Sequence, residues 1–114
     1  MKWNSENREE FFAYIEKLID EDKYTECITA LENIPMEERN YKVWYQLART
    51  YQNFAIVGND DKGTPSFIGD KFLLKSIDIL NSVREEGKDK AEWHMRMAYA
   101  YQYLTHEEER AIPY

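Results

Sequence analysis

Core-facing side chains recur every three or four residues along most of the chain, which is the spacing of an amphipathic helix. Five segments show this pattern, through Phe11, Tyr14, Ile15 and Leu18; Tyr24, Cys27, Ile28, Leu31 and Ile34; Trp44, Leu47, Ala48, Tyr51 and Phe54; Leu73, Ser76, Ile77, Leu80 and Val83; and Trp93, Met97, Ala98, Tyr101 and Leu104. A sixth segment begins at HEEERAI and is cut off at Tyr114. Because no segment alternates apolar and polar residues as a strand would, the sequence predicts an all-α fold with five full helices and a truncated sixth.

Local signals agree with these helix boundaries. A capping side chain is followed three residues later by Glu at Asn7–Glu10, Asp89–Glu92 and Thr105–Glu108. Pro35 is expected to stop the second helix, and Gly87 is placed to end the fourth.

One stretch, 56–70, breaks the helical pattern. It holds three of the chain's four glycines together with Pro65, so we expect it to be an irregular loop. Long loops inside compact domains are often functional or mobile. The alternative, which we favour, is that the loop is a tolerated insertion.

Similar residues recur at equivalent positions along the chain, and this repetition divides it into three units. The stretch WYQLARTYQ, 44–52, has a near echo in HMRMAYAYQ, 94–102. Cys27, Ser76 and Ala111 each occupy a small-residue position that is followed by Ile. Small residues at equivalent positions let paired helices approach closely. The sequence therefore predicts one domain, 1–114, made of helix pairs 8–40, 41–90 and a partial unit 91–114, which begin near Arg8, Tyr41 and Ala91.

These units resemble the tetratricopeptide repeat, whose helix pair follows W-x₂-L-G-x₂-Y and then A-x₃-F. The positions that carry the resemblance are Trp44, Leu47, Ala48, Tyr51, Ser76 and Leu80 in the middle unit, and Met97, Ala98, Tyr101, Ala111 and Ile112 in the last. The resemblance implies a short right-handed α-solenoid. It also implies that 56–70 interrupts a repeat of about 34 residues with roughly sixteen extra ones. A helical-hairpin repeat of another kind is the alternative.

The last unit is expected to be incomplete, because its second helix needs about two more turns than the sequence supplies. Two explanations are open: the chain is an excised piece of a longer array, which we favour, or it borrows packing from a neighbour. Bacterial chains with similar helices are often accessory parts of multidomain proteins, so we expect a bacterial origin.

Composition narrows the class of partner. The 114 residues carry a formal net charge of −7, which argues against nucleic acid and anionic membranes as partners. No apolar run approaches the ~18 residues of a membrane helix. The single cysteine, Cys27, excludes an internal disulfide and suits the cytoplasm.

No group of residues predicts catalysis or metal binding, so we expect neither an enzyme nor a cofactor. His94 and His106 lack metal-site spacing, and we expect His94 to be a packing residue of the core. Cys27 occupies a helix-packing position and is expected to be a buried, unreactive thiol. Asp60 and Asp61 lack the alternating ligands of a calcium loop.

The remaining candidate is a binding surface. In the resembled family, the first helices of successive repeats line a concave groove that accepts a peptide or a partner's helix. The matching groove positions are Phe12, Glu16, Tyr45, Arg49, Gln52, Asn53, Met95, Tyr99, Gln102 and Tyr103. Aromatic residues beside Arg and amides are typical of recognition surfaces, although the tyrosines could equally cover neighbouring helices.

The sequence thus predicts a non-enzymatic module that binds a protein or peptide in its concave groove. A second hypothesis is that the last helix drives self-association of a larger helical-repeat protein. A third, which we consider weak, is an enzyme that uses 56–70 as a lid.

Overall fold

A computed structural model describes residues 2–4, 6–58 and 66–103, and no strand occurs within these ranges. The α-helices are α1 (Arg8–Asp20), α2 (Tyr24–Glu32), α3 (Tyr41–Asn53), α4 (Ser66–Ser82), α5 (Arg84–Gly87) and α6 (Ala91–Tyr103). A 3₁₀ turn, Met36–Glu38, joins α2 to α3. The all-α prediction is confirmed for this part of the chain. The five full helices correspond to α1, α2, α3, α4 and α6, whereas the sixth falls outside the described residues.

The stretch predicted to be an irregular loop is partly helical, so that prediction was wrong at both ends. A π-helical turn, Phe54–Gly58, continues α3, and α4 already begins at Ser66. Residues 59–65 lie outside the described ranges. Packing explains the difference, because Phe54 stacks on Phe72 of α4 with ring centroids 5.0 Å apart. Such contacts offset the cost of about 1 kcal/mol for a glycine such as Gly69 inside a helix.

Helix ends depart from the predicted caps. The Asn7 side chain does not cap α1, because its Oδ1 accepts from the Asn4 amide and its Nδ2 donates to the Lys2 carbonyl. Helix α3 is capped instead by Asn40, whose Oδ1 accepts from the Val43 amide at 3.1 Å. Helix α4 ends at Ser82, and Gly87 ends the additional single turn α5.

The turn between α1 and α2 closes in the geometry usually made by glycine. Asp22 has a φ of 59°, in the left-handed region. The Asp22 amide donates to Ile19, and the Lys23 amide donates to Leu18, which is the hydrogen-bond pair of a Schellman turn. The Asp22 carboxylate also accepts from the Tyr24 hydroxyl at 2.7 Å. This hydrogen bond holds the turn despite the cost of a left-handed aspartate.

The helices pack in the order of the chain: α1 on α2, α2 on α3, α3 on α4, and α4 on α6. Helix α3 also touches α6 directly. The molecule measures 44 × 35 × 20 Å. Because a helix with its side chains is about 10–12 Å across, the shortest dimension corresponds to two layers of helices. None of the described helices is long and apolar enough to cross a bilayer.

One continuous core runs through these layers. Its largest fully buried side chains are Trp93, Phe11, Ile15, Leu31, Ile34, Leu47, Leu80 and Met97. All five positions predicted for α4, from Leu73 to Val83, are buried. In α6 the prediction was partly wrong, because Ala98 is half-buried and Ala100 is the fully buried alanine. The buried residues of α6 stand at the positions of Val43, Leu47 and Thr50 in α3, so α6 buries part of the same face and leaves the side of Ala98 partly open.

Candidate functional site

The first polar contact across the predicted groove joins α1 to α3. The Glu16 carboxylate accepts from Arg49 Nη1 at 2.6 Å and from Gln46 Nε2 at 3.1 Å. Burial opposes ionisation of Glu16, but the hydrogen bonds from Arg49 and Gln46 outweigh it and lower the pKa of this carboxyl. Glu16 and Arg49, both predicted groove residues, therefore neutralise each other.

The second polar contact joins α3 to α4 and α6. The Gln52 side chain is 0% exposed, and its Nε2 donates to Ser76 Oγ at 3.3 Å and to the Arg96 carbonyl at 2.8 Å. Ser76 Oγ in turn donates to the Leu73 carbonyl. Gln52 was predicted to be a groove residue that the core does not require. That expectation was wrong, because its amide ties three helices together.

Phe12, the first-unit groove residue, is also buried rather than open. It is 7% exposed, with Trp3 packed edge-on at 6.0 Å and Lys42 Nζ 4.4 Å above its ring. Tyr45, on α3, is half-buried and stacks on Tyr41 at 5.9 Å. The expectation that the core leaves Phe12 free was therefore wrong, and α1 offers little open apolar surface here.

The open part of the predicted surface lies on α6. Met95, Tyr99 and Tyr103 are 48%, 38% and 47% exposed. They follow each other at intervals of four residues, so they form one row along the helix. The rings of Tyr99 and Tyr103 lie 6.1 Å apart, and Gln102 beside them is also exposed. The structure thus brings the three large predicted residues of the last unit together.

Arg96 borders this row on the side of α3 and was not among the predicted site residues. Its Nη1 donates to Asn53 Oδ1 at 3.3 Å, and its guanidinium carbon lies 5.9 Å from the Tyr99 ring centre. Its position three residues before Tyr99 on the helix would have indicated this proximity from sequence. We call Asn53, Met95, Arg96, Tyr99 and Tyr103 the α3–α6 face.

Another hydrogen bond joins α3 to α6 near the first residues of both helices. The Tyr41 hydroxyl donates to Glu92 Oε2 at 3.1 Å, and Lys90 Nζ lies 5.3 Å from the Tyr41 ring centre. Burial and the carboxylate of Glu92 raise the pKa of Tyr41 well above its usual value. Tyr41 therefore stays protonated and keeps its hydrogen bond to Glu92.

Cys27 and His94, which the sequence offers as candidates for catalysis or metal binding, make contacts within the protein. Cys27 is fully buried as predicted, burial raises the pKa of its thiol, and its Sγ lies 3.3 Å from Thr50 Oγ1. His94 is exposed, so its prediction as a core residue was wrong; its Nε2 donates to the Lys88 carbonyl at 2.6 Å. Within the described ranges, no cluster of three or more His, Cys, Asp or Glu side chains could hold a metal ion.

Comparisons with protein-family models, with curated proteins and with solved structures find no match to this chain. The resemblance to the tetratricopeptide repeat therefore continues to depend on the residues themselves. The α3–α6 face combines three exposed large side chains, Met95, Tyr99 and Tyr103, with the partly exposed guanidinium of Arg96 and amide of Asn53.

Proposed function

We propose that this protein is a non-enzymatic interaction module that binds an extended peptide or a partner segment on the α3–α6 face. The observation that carries the proposal is the exposed row of Met95, Tyr99 and Tyr103 beside Arg96. Tyr, Met and Arg are enriched at protein interfaces, where their large side chains supply most of the binding energy. Covering the apolar surface of such side chains with a partner lowers the free energy of the complex.

We also infer a tetratricopeptide-like arrangement as the scaffold of this face. Three findings support it: the first helices begin at Arg8, Tyr41 and Ala91 as the repeat pattern predicts, successive helices pack in chain order, and the molecule is two helices thick. A cytoplasmic location is part of the same proposal and is supported by the buried thiol of Cys27.

The test is a selection of random 12-residue peptides displayed on phage against the immobilised chain. Selected peptides are then synthesised and titrated by fluorescence anisotropy. We expect the double substitution Met95→Ala with Tyr99→Ala to weaken binding at least tenfold, because it removes two large side chains that would contact the peptide. Both side chains are exposed, so their truncation should leave the core intact.

Met36→Ala is the matched control, since Met36 is 64% exposed but lies in the turn before α3. We expect it to leave peptide affinity unchanged. Far-UV circular dichroism and thermal unfolding verify the fold of each variant. Equal binding by the double variant and the native chain would show that the α3–α6 face is not the binding site.

Self-association is a second candidate function, favoured by one observation. Gln102 and Tyr103 of α6 are exposed, whereas Gln52 at the equivalent position of α3 is covered by α4 and α6. A second helical surface could cover α6 in the same way. Sedimentation velocity over a range of concentrations tests this candidate, and a sedimentation coefficient that stays constant up to high concentration removes it.

A further inference from the structure

We propose that the partner segment carries an aspartate or glutamate that binds Arg96, with an apolar side chain about three residues away that packs on Tyr99 and Tyr103. This inference rests on the proposed function and specifies the chemistry of its partner. The net charge of the chain, −7, would by itself favour a basic partner, so the expectation of an acidic residue depends on local contacts. The local environment of Arg96 supplies the argument.

Arg96 forms no ion pair with any acidic side chain of the described residues. The two arginines that project between the first helices have different surroundings. Arg49 is paired with Glu16 at 2.6 Å, whereas Arg96 forms no ion pair in the described part of the chain. Glu92 lies one turn before Arg96, but its carboxylate accepts from the Tyr41 hydroxyl. The charge of Arg96 is therefore available to a carboxylate from outside.

The guanidinium of Arg96 is also held in place before any partner binds. Asn53 accepts from Nη1, the Tyr99 ring lies against the guanidinium, and Nε is shielded from solvent without a hydrogen-bond partner. Among the described residues, the remaining nitrogen, Nη2, has no hydrogen-bond acceptor, so it is the atom that we expect a carboxylate to approach. Partial removal from water strengthens the attraction of a guanidinium for a carboxylate. Fixing the side chain in advance lowers the entropy cost of binding.

The direction of the partner follows from the row of exposed side chains. Tyr103 lies seven residues after Arg96, which corresponds to about 10 Å along a helix. An extended peptide covers that distance in about three residues. On the other side of Arg96 lies the carboxylate of Glu92, which repels acidic residues. We therefore expect the pattern of an acidic residue separated by two positions from an aromatic or aliphatic one, with the acidic residue opposite Arg96.

Sequencing of the peptides selected from the display library tests this inference. We expect enrichment of Asp or Glu with an apolar residue two to four positions away. In a selected peptide, exchange of that acid for its amide isostere should weaken binding to the native chain about tenfold, the size expected for a charged hydrogen bond. The same exchange should change binding to Arg96→Met less than twofold.

Arg96→Lys keeps the charge but loses the planar group, so we expect its affinity to fall between those of the native chain and Arg96→Met. If Arg96→Met does not fold, the amide exchange is compared between the native chain and Arg96→Lys, where we expect a smaller effect on affinity. Peptides that need Met95 and Tyr99 but show no preference for acids would overturn this inference and leave the proposed function standing. Peptides whose binding ignores Met95 and Tyr99 would overturn the proposed function itself.

Discussion

Helices α3 and α6 have Ala, Tyr and Gln at matching positions, yet their surroundings differ. They begin at Tyr41 and Ala91, 50 residues apart, and each has 13 residues. Helix α3 is enclosed by α2 and α4, with α1 and α6 beside it. In the described part of the chain, α6 has neighbours on the side of α3, α4 and α5. Seven residues of α3 are buried, but only Trp93, Met97 and Ala100 of α6.

This comparison separates structural residues from residues that are available to a partner. Glutamine follows Tyr51 and Tyr101 alike, but Gln52 is fully buried in a three-helix contact and Gln102 is exposed. At the next position, Asn53 reaches Arg96 of α6, whereas Tyr103 faces solvent. The same sequence position therefore stabilises the fold in one helix and forms a candidate binding surface in the other.

The largest effect is expected when the tryptophans of the two helices are truncated. Trp93 is 1% exposed, and its Nε1 donates to the Leu80 carbonyl at 2.9 Å. We expect Trp93→Ala to lower the free energy of unfolding by about 4 kcal/mol, because it leaves a cavity and removes the hydrogen bond from the indole to the Leu80 carbonyl. Trp44 is half-buried under Arg39, and Trp44→Ala is expected to cost about 1–2 kcal/mol. Urea unfolding followed by circular dichroism measures both.

Gly87→Ala provides a second variant that disturbs the packing of Trp93 without truncating its side chain. A Cβ at Gly87 would overlap the indole of Trp93 and displace it. We expect a loss of about 2 kcal/mol from this overpacking. Similar losses for Trp44→Ala and Trp93→Ala would contradict the difference in burial between the two helices.

A smaller contrast is expected for the paired glutamines. Gln52→Ala removes the hydrogen bonds to Ser76 and to the Arg96 carbonyl in a buried site, so we expect it to lower the free energy of unfolding by about 2 kcal/mol. Gln102→Ala changes an exposed side chain and should stay within about 0.5 kcal/mol of the native protein. The two variants differ in position but not in chemistry. A substantial loss for Gln102→Ala would mean that α6 is as fully covered as α3.

Sequence reasoning succeeded where one periodic face decides the structure. Leu73, Ile77 and Leu80 are spaced so that they lie on one side of a helix, and all three are buried. Helices α1, α3 and α6 begin at Arg8, Tyr41 and Ala91, near the positions at which the sequence places the starts of its three units. The polar surface was less predictable, because periodicity shows which face is apolar but not which neighbouring helix covers the polar one.

Phe12, Gln52 and Arg96 illustrate that limit. Phe12 is covered by Trp3, which lies nine residues earlier and is brought there by the path of the N-terminal residues. Gln52 is covered because α4 and α6 both reach it, and Arg96 matters because Asn53 lies opposite. Each of these contacts joins residues from different segments. Helical spacing within one segment carries no information about them.

The smallest expected effect concerns the Tyr41–Glu92 contact, which joins the starts of α3 and α6. The pKa of Tyr41 is raised in the folded protein, first by burial and then by its hydrogen bond to Glu92, whereas an unfolded tyrosine titrates near about 10. The unfolded chain therefore releases this proton at lower pH than the folded chain does. The stabilisation is fully present below about pH 10 and is lost as pH rises toward the folded pKa.

We expect Tyr41→Phe to unfold at slightly lower urea concentration than the native protein at pH 8, with a difference that shrinks above pH 10. Glu92→Gln keeps an acceptor for the hydroxyl but removes the charge, so it should shift the alkaline loss to lower pH. The midpoint of urea unfolding, measured from pH 8 to 11, tests both expectations. If the native protein and Tyr41→Phe differ by the same amount at every pH, folding does not raise the pKa of Tyr41, because Phe keeps the packing of the ring and lacks only the hydroxyl. The Tyr41–Glu92 hydrogen bond would then stabilise the junction of α3 and α6 without any linkage to the proton.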